Sequence, residues 1–275
     1  MKRILGALLL IVIFALPVIF GPAWVLLIVA MLVIPMCMYE LFRVAIGPEA
    51  KALSWISIAV SVPFLLIAYR GDLAGCFLTI TAAGVILIVT SLFLYEKEKA
   101  KAKDLVYSLV GLIYPLALTG FWVLLRVGVD GRFWIIFGLV CTFGSDAGAY
   151  YVGKNLGRRS LAPRLSPKKT VEGFIGGLCS SILLGYASFL IYKGVTEYFH
   201  ADLLSGRYPS WLLVLLAIAI GVLDLAGDLT ASLFKRDFQI KDLGNLIPGH
   251  GGMLDRMDGI ILVGCILYLI LKVAV

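Results

Sequence analysis

Long apolar stretches separated by short polar ones are the dominant pattern of this chain. Each stretch is long enough to cross a bilayer as a helix, which takes roughly 17–25 residues. None shows the alternation of polar and apolar positions that marks a membrane β-strand. The predicted spans lie at residues 4–20, 23–38, 52–69, 73–95, 105–125, 132–152, 174–192, 209–229 and 259–275. The pattern therefore predicts an all-α integral membrane protein, a polytopic helical bundle of about nine transmembrane helices.

The first two stretches are the hardest to separate. Only Gly21 and Pro22 lie between them, and Pro17 and Pro35 favour breaks in the helices. A re-entrant hairpin is therefore the alternative to two full spans. The opening stretch is also similar to a signal peptide, but it lacks a small-x-small cleavage site and runs into another span. We therefore expect a retained helix.

Composition and charge support a membrane location and indicate an orientation. The chain is 61% hydrophobic and 15% charged, whereas soluble domains average roughly 25% charged residues. If Met1 is cytosolic, 18 of the 24 Lys and Arg residues fall on the cytosolic side. The other six are Arg70, Arg126, Arg132, Lys193, Arg207 and Lys272. The positive-inside rule then predicts a multi-pass inner-membrane protein with a cytosolic N-terminus and the C-terminus on the opposite side.

The net charge of +7 reflects this bias and suits contact with anionic membrane lipids rather than with nucleic acid. Residues 1–130 are predicted to hold about five spans and one solvated charge run at 96–104. Residues 131–275 carry the candidate chemistry, with cytosolic loops at 153–173 and 230–258 and a polar cavity facing the cytosol. The five cysteines stand singly in apolar segments, which argues against structural zinc and a disulfide framework.

Four carboxylates at the ends of the last two predicted spans are candidates for metal binding. Asp224 and Asp228 are four residues apart, and Asp255 and Asp258 are three apart, so each pair shares a helix face. Carboxylates from two helices at one membrane level suit Mg²⁺, which takes oxygen ligands from carboxylates, phosphate and water. No cysteine lies nearby, so zinc and iron are less favoured. The alternative is a structural salt network with Lys235, Arg236 and Arg256.

A glycine-rich segment joins these two pairs. Gly249, Gly251 and Gly252 flank His250 and let the backbone bend tightly and approach a ligand closely. Exposed backbone N–H groups before a helix favour phosphate. We expect His250 to contact substrate.

A second polar segment covers residues 145–173. Asp146 lies about two turns inside the cytosolic end of the sixth span. It is followed by Lys154, Arg158, Arg159, Arg164, Lys168 and Lys169. Ser166 and Pro167 predict a helix start, with Lys168 and Lys169 in its first turn. Cations there oppose the helix dipole unless an anion, such as a nucleotide or lipid phosphate, binds the helix end. The alternative is snorkelling toward lipid headgroups.

The stretch "GAYYVGKN" at 148–155 nearly matches a phosphate-binding Walker A loop. Asn155 stands where serine or threonine belongs, two tyrosines crowd the loop, and no strand precedes it. We therefore reject this interpretation.

The two polar segments carry a family resemblance. "SLFKRDFQIKDLGNLIPGHGGMLDRMD" (232–258) and "SDAGAYYVGKNLGRRSLAPRLSPKKTVEG" (145–173) resemble the signature blocks of the phosphatidate cytidylyltransferases. The chain departs from that pattern at Ala231, where many members carry glutamate, and at Gly259, where serine is usual. The resemblance implies a nucleotidyltransferase of phospholipid biosynthesis that condenses CTP and phosphatidic acid to CDP-diacylglycerol and pyrophosphate.

The resemblance also implies roles for individual residues. Asp228 and Asp255 would be the leading Mg²⁺ ligands, and Asp224, Asp242 and Asp258 would support them. A second metal ion, a monovalent cation and a homodimer are left open. The phosphates would be held by Lys168, Lys169, Lys235, Arg236, Lys241 and Arg256. The remaining substrate contacts would come from Asp146, Thr170, Ser232, His250, Gly251 and Gly252. The residues implied to act in catalysis are Asp228, Asp255, Lys235, Arg236, Lys241 and His250.

Rival functions remain open at this stage. Charged groups within spans also mark ion-coupled transporters, although those place them near the midplane of repeated halves. A CTP-dependent lipid kinase is a nearer rival, and the product distinguishes it from a cytidylyltransferase. A CDP-alcohol phosphotransferase is disfavoured because the chain has no DG-x-x-AR motif.

Overall fold

The computed structural model describes residues 21–47, 50–198, 208–244 and 251–274. The first predicted span, 4–20, and His250 lie outside these residues. The helices are α1 (Ala23–Ala45), α2 (Lys51–Tyr69), α3 (Leu73–Glu96), α4 (Ala102–Gly111), α5 (Thr119–Val127), α6 (Gly131–Leu156), α7 (Val171–Tyr198), α8 (Ser210–Asp237) and α9 (Leu254–Ala274). A π-helical segment, Leu112–Leu118, joins α4 to α5. Two short strands, β1 (Ser160–Ala162) and β2 (Ser166–Thr170), pair between α6 and α7.

Seven helical segments of the described chain are long and apolar enough to cross a membrane. They contain the predicted runs from 23–38 to 209–229, and the run at 259–275 falls on α9. The prediction of an all-α polytopic membrane protein is confirmed, while the count of nine spans stays a prediction. Pro35 lies inside the unbroken α1. The π-helical segment accommodates Pro115, so Ala102–Val127 forms one continuous span.

Large apolar side chains are exposed along the sides of several helices. On α3, Phe77 is 71% exposed and Phe93 is 66% exposed. On α7, Leu183 is 70% exposed and Ile191 is 67% exposed. Such surfaces are unfavourable in water but suit the hydrocarbon of a bilayer.

The chain forms two compact units, which are described separately. The first unit comprises the described residues of Met1–Val127 and Asp237–Met257. In it, α2 packs against α1 and α3, and α5 packs against α1 and α2. Gly111 and Gly120 leave room for the rings of Phe42 and Phe64, because a Cβ at either glycine would collide with those rings. Both phenylalanines are almost fully buried in the core of this unit.

The second unit comprises the described residues of Gly128–Arg236 and Asp258–Val275. Its most extensive helix contact is between α6 and α7, where glycines of each helix lie against the other helix. A Cβ at Gly148 would lie 2.7 Å from the carbonyl oxygen of Gly176, and one at Gly177 would lie 3.0 Å from that of Ser145. Small residues of this kind let two membrane helices approach until their backbones touch.

The segment before α7 differs from the prediction. Residues 166–170 form β2, which pairs antiparallel with β1, so Ser166 and Pro167 do not start a helix. The helix begins at Val171 instead, and the hydroxyl of Thr170 accepts a hydrogen bond of 3.1 Å from the N–H of Gly173, as a helix cap does. Lys168 and Lys169 therefore lie on a strand, and the argument from an opposed helix dipole does not apply to them.

Two further interpretations can be compared with the structure. Residues 148–155 lie inside α6, so the rejection of a Walker A loop is confirmed.

Most of the charge run 96–104 is exposed, but Asp104 is 3% exposed. Its carboxylate accepts hydrogen bonds from the N–H groups of Lys101 and Gly47 at 2.8 and 3.2 Å, which ties the start of α4 to the end of α1.

Candidate active site

A cavity of about 410 Å³ lies in the second unit, between α6, the β-hairpin, α7 and α8. Its charged lining comprises three carboxylates and three lysines. These residues are Asp146, Asp224, Asp228, Lys154, Lys168 and Lys169. Tyr150 and Thr170 add hydroxyl groups. The structure thus brings together the carboxylate pair of α8 and the basic segment before α7, which lie more than fifty residues apart in the sequence.

An ion pair links two walls of this cavity. The ammonium group of Lys169, on β2, contacts the carboxylate of Asp228, on α8. Their side chains are 25% and 35% exposed, so both remain accessible from the cavity. Asp146 is close enough to be repelled by Asp228 and attracted by Lys169. Lys169 thus pairs with Asp228 and also attracts the carboxylate of Asp146.

Asp224 lies one helical turn from Asp228 and is only 3% exposed. Ser145, on α6, forms a side-chain hydrogen bond with it. The Oδ1 atom of Asp224 has no hydrogen-bond partner among the described residues. That oxygen lies against Gly259 of α9, at the position that a side chain there would occupy. A buried carboxylate oxygen without a partner is costly unless a ligand supplies one.

The acidic cluster of the second unit consists of Asp224, Asp228 and Asp258. Asp258 is 9% exposed, lies close enough to Asp228 to be repelled by it, and is attracted by Lys235. Its own Oδ1 accepts a hydrogen bond of 3.0 Å from the N–H of Gly259. The carboxylates of Asp224, Asp228 and Asp258, from the last two helices, therefore lie near one another in the second unit, and their joint action on a metal stays a prediction.

Replacing Gly259 by alanine is expected to displace the Asp224 carboxylate. The new Cβ would overlap the Oδ1 atom of Asp224, which must then move. Small misplacements of a reacting group are costly. The predicted role of Asp224 therefore implies that kcat for CDP-diacylglycerol formation falls about 10- to 100-fold. Steady-state assays of Gly259→Ala, Asp224→Asn and the double variant test this. If each single variant lowers kcat by a similar factor and the double variant loses no more than either, the effect acts through Asp224. Free-energy losses that add fully in the double variant contradict it.

The acidic cluster fits Mg²⁺ in its chemistry. All its donors are carboxylate oxygens, and Asp224 contributes one that lacks a partner. Within the described chain no three His, Cys, Asp or Glu side chains are close enough together to hold a metal by themselves. Mg²⁺ does not require such a group, because proteins usually bind it with one or two carboxylates, water and substrate phosphate.

Six of the predicted site residues belong to the first unit: Lys241, Asp242, Gly251, Gly252, Asp255 and Arg256. Asp255, in the first turn of α9, accepts hydrogen bonds from the N–H groups of Leu243 and Gly252 at 2.8 and 3.3 Å. Gly251 has a φ of +84°, which confirms that the glycine segment bends where other residues would be strained. The joint action of Asp228 and Asp255 on one metal stays a prediction.

Some residues that the prediction omitted have a recognisable signal in the sequence. Tyr150 and Gly153 line the cavity and lie four and seven positions after Asp146 on α6, so helical spacing alone places them on its face. Glu40 is a lone acid within the apolar α1, and it accepts hydrogen bonds from the N–H groups of Met253 and Leu254 at 2.9 and 2.8 Å. An ionisable residue inside a span is reason enough to look for a partner.

Comparison with known proteins gives the family. The model of the cytidylyltransferase family matches residues 1–274. The phosphatidate cytidylyltransferase of Synechocystis sp. is 34% identical over 81% of this chain and 78% of its own length. That of Staphylococcus epidermidis is 30% identical over 95% of both chains. That of Bacillus subtilis is 38% identical over 51% of this chain and 48% of its own length. The chain therefore belongs to the cytidylyltransferase family.

Proposed function

We propose that this protein is a phosphatidate cytidylyltransferase, which converts CTP and phosphatidate to CDP-diacylglycerol and pyrophosphate. Relatives that bear this name align with most of the chain. The observation that carries the proposal is the cavity in which Lys169 pairs with Asp228 beside Asp146 and Asp224. Lysines and carboxylates in one cavity suit a reaction between two phosphate-bearing substrates.

In the proposed reaction a phosphate oxygen of phosphatidate attacks the α-phosphorus of CTP. The bond from that phosphorus to the bridging oxygen of the β-phosphate breaks, and pyrophosphate leaves. A phosphate monoester is already ionised at neutral pH, so no general base is essential. Catalysis of this kind depends on positioning and on neutralising charge.

The lysines of the hairpin are proposed to neutralise the phosphates. Lys168 is exposed at the cavity and Lys169 is half-buried in it, so both can reach an anion there. Binding of a phosphate would compete with Asp228 for the ammonium group of Lys169. Thr170 caps α7 at the same edge of the cavity and fixes the end of the strand. The other basic residues proposed to contact phosphate are Lys235, Arg236, Lys241 and Arg256.

The carboxylates are proposed to hold Mg²⁺, with Asp228 and Asp255 leading and Asp224, Asp242 and Asp258 supporting. When bound, Mg²⁺ would supply positive charge that offsets the charge developing on the phosphates. Asp146, Ser232, His250, Gly251 and Gly252 are proposed to contact substrate. Ser232 lies four residues after Asp228 on α8, so the two share a helix face.

The cavity is proposed to open toward the cytosol, which is where CTP is found. The support is the distribution of basic residues, which favours a cytosolic N-terminus and cytosolic polar segments at the inner membrane. The C-terminus would then lie on the opposite side.

The direct test is to incubate the purified protein in lipid nanodiscs with phosphatidate, labelled CTP and Mg²⁺, and to identify the products by mass. We expect CDP-diacylglycerol and pyrophosphate in equal amounts. Release of CDP together with a newly phosphorylated lipid would instead indicate a lipid kinase. Transport of a solute into vesicles without consumption of CTP would indicate a transporter and would contradict the proposal.

A further inference from the structure

Glu40 is the most deeply buried acid among the described residues of the first unit and has no place in the proposed reaction. It lies in α1 and is 1% exposed. Its two oxygens accept hydrogen bonds from consecutive backbone N–H groups, Oε1 from Met253 at 2.9 Å and Oε2 from Leu254 at 2.8 Å. The carboxylate thus binds the start of α9 from a helix more than two hundred residues away in the sequence.

These contacts satisfy N–H groups that a helix leaves without partners at its start. The carbonyl oxygen of Met253 accepts from the N–H groups of Arg256 and Met257, which makes Met253 the first residue of the α9 turn. A negative charge at this end is also favoured by the helix dipole. Both oxygens of Glu40 accept from backbone N–H groups, whose direction is set by the helix itself rather than by a flexible side chain.

The same contacts reach the predicted metal ligand Asp255. The Cβ position of Gly252 lies 2.7 Å from Oε2 of Glu40 and 3.0 Å from Oδ2 of Asp255. That Oδ2 atom accepts from the N–H groups of Gly252 and Leu243. The next residue, Gly244, packs directly against the side chain of Glu40. The carboxylates of Glu40 and Asp255 thus both accept from backbone N–H groups of residues 252–254. A shift of Glu40 is therefore expected to shift the turn that orients Asp255.

We propose that Glu40 is a positioning residue for the cytidylyl transfer, because it holds the first turn of α9 and thereby sets the direction of the Asp255 carboxylate. This inference rests on the proposed function. It assigns no contact with substrate or metal to Glu40. It predicts that α1, which carries none of the motif residues, controls the catalytic rate through one side chain.

The test uses the full-length protein in nanodiscs and the isosteric variant Glu40→Gln, in which one oxygen acceptor becomes an NH₂ donor facing a backbone N–H. We expect kcat to fall about 10- to 100-fold with the KM for CTP changed less than about twofold. Hydrogen exchange of the peptide containing residues 251–257 should accelerate about tenfold or more, with or without Mg²⁺. The exchange measurement does not depend on activity.

Asp104 provides a matched control. It is also a buried acid of the first unit that accepts from two backbone N–H groups, but those belong to Lys101 and Gly47. Asp104→Asn should lower thermal stability as much as Glu40→Gln while keeping kcat and the exchange of residues 251–257 unchanged.

Gly244→Ala is a second variant that reaches the same contact from the other side. Its Cβ would overlap the Glu40 carboxylate and push it away from α9. We expect a similar loss of kcat, and no further loss when it is combined with Glu40→Gln. If Glu40→Gln does not accumulate as folded protein, Gly244→Ala alone decides the question by the same two measurements.

Two outcomes overturn the inference while the wild-type protein makes CDP-diacylglycerol. One is a kcat within about twofold of wild type in Glu40→Gln or, if that variant does not fold, in Gly244→Ala. The other is an equal loss of kcat in Asp104→Asn, which would show that general destabilisation is the cause. A wild-type protein that makes no CDP-diacylglycerol contradicts the proposed function itself, and hydrogen exchange still reports whether Glu40 holds the turn.

Discussion

Asp228→Asn is expected to lower kcat for CDP-diacylglycerol formation by about 10²–10³-fold. Asp228 contacts Lys169 and Asp258 and faces the cavity, so its charge acts on both the acidic cluster and the basic hairpin. The asparagine amide keeps the shape of the side chain but removes the charge that pairs with Lys169 and that the proposed Mg²⁺ site would use. Steady-state kinetics with purified variant protein measure the effect.

The side chain of Asp228 is 35% exposed, so its replacement should not prevent folding. Asp237→Asn is a suitable control, because Asp237 is an exposed acid at the end of the same helix. Unchanged kinetics in the control and a kcat within about threefold of wild type in Asp228→Asn would together remove Asp228 from the reaction.

Gly227→Ala is expected to destabilise the second unit more than any other alanine substitution considered. A Cβ at Gly227 would overlap the carbonyl of Asp258 and lie 3.1 Å from the Cα of Gly259. These are backbone atoms, so α8 and α9 must separate to admit one methyl group. We expect a loss of about 3 kcal/mol in the free energy of unfolding and a Tm lower by about 6 °C or more. Thermal unfolding in detergent measures it.

Gly194→Ala serves as the comparison for this substitution. Gly194 lies in α7 and has no heavy atom within 4 Å of its Cβ position. Alanine there should leave the Tm unchanged or raise it slightly, because alanine favours a helix over glycine by up to about 1 kcal/mol. If both substitutions lowered the Tm equally, close packing of α8 on α9 could not be the reason for the glycine at 227.

The helices were predictable because each apolar run is long and because a bilayer admits few other structures. The pairing of Asp224 with Asp228 on one face also follows from spacing alone. The ends of the helices were less predictable: α8 continues to Asp237, eight residues past the apolar run, because polar residues such as Lys235 do not end a helix. Hydropathy indicates where the apolar run ends, whereas the end of a helix is set by its backbone hydrogen bonds.

The hairpin before α7 was missed for a physical reason. Ser166 followed by Pro167 has the local chemistry of a helix start, but Ala162 pairs with Ser166 and Ser160 with Thr170 across an antiparallel ladder. Strand pairing depends on a partner that local sequence does not reveal. For Glu40 the sequence shows a lone acid within an apolar span, but it does not reveal the partners, because these are backbone N–H groups of a segment more than two hundred residues away.

The close packing of α6 on α7 bears on how a lipid substrate can reach the cavity. Where Gly148 meets the backbone of Gly176 and Gly177 meets that of Ser145, the neighbouring side chains are small, so no large side chain can rearrange there to admit an acyl chain. Parting these helices would break many contacts at once, so they should move as one rigid body. Local motions that admit phosphatidate should therefore involve α8 or the hairpin, which are joined by the Lys169–Asp228 ion pair and by a hydrogen bond of 3.3 Å from Arg236 to the carbonyl oxygen of Leu165.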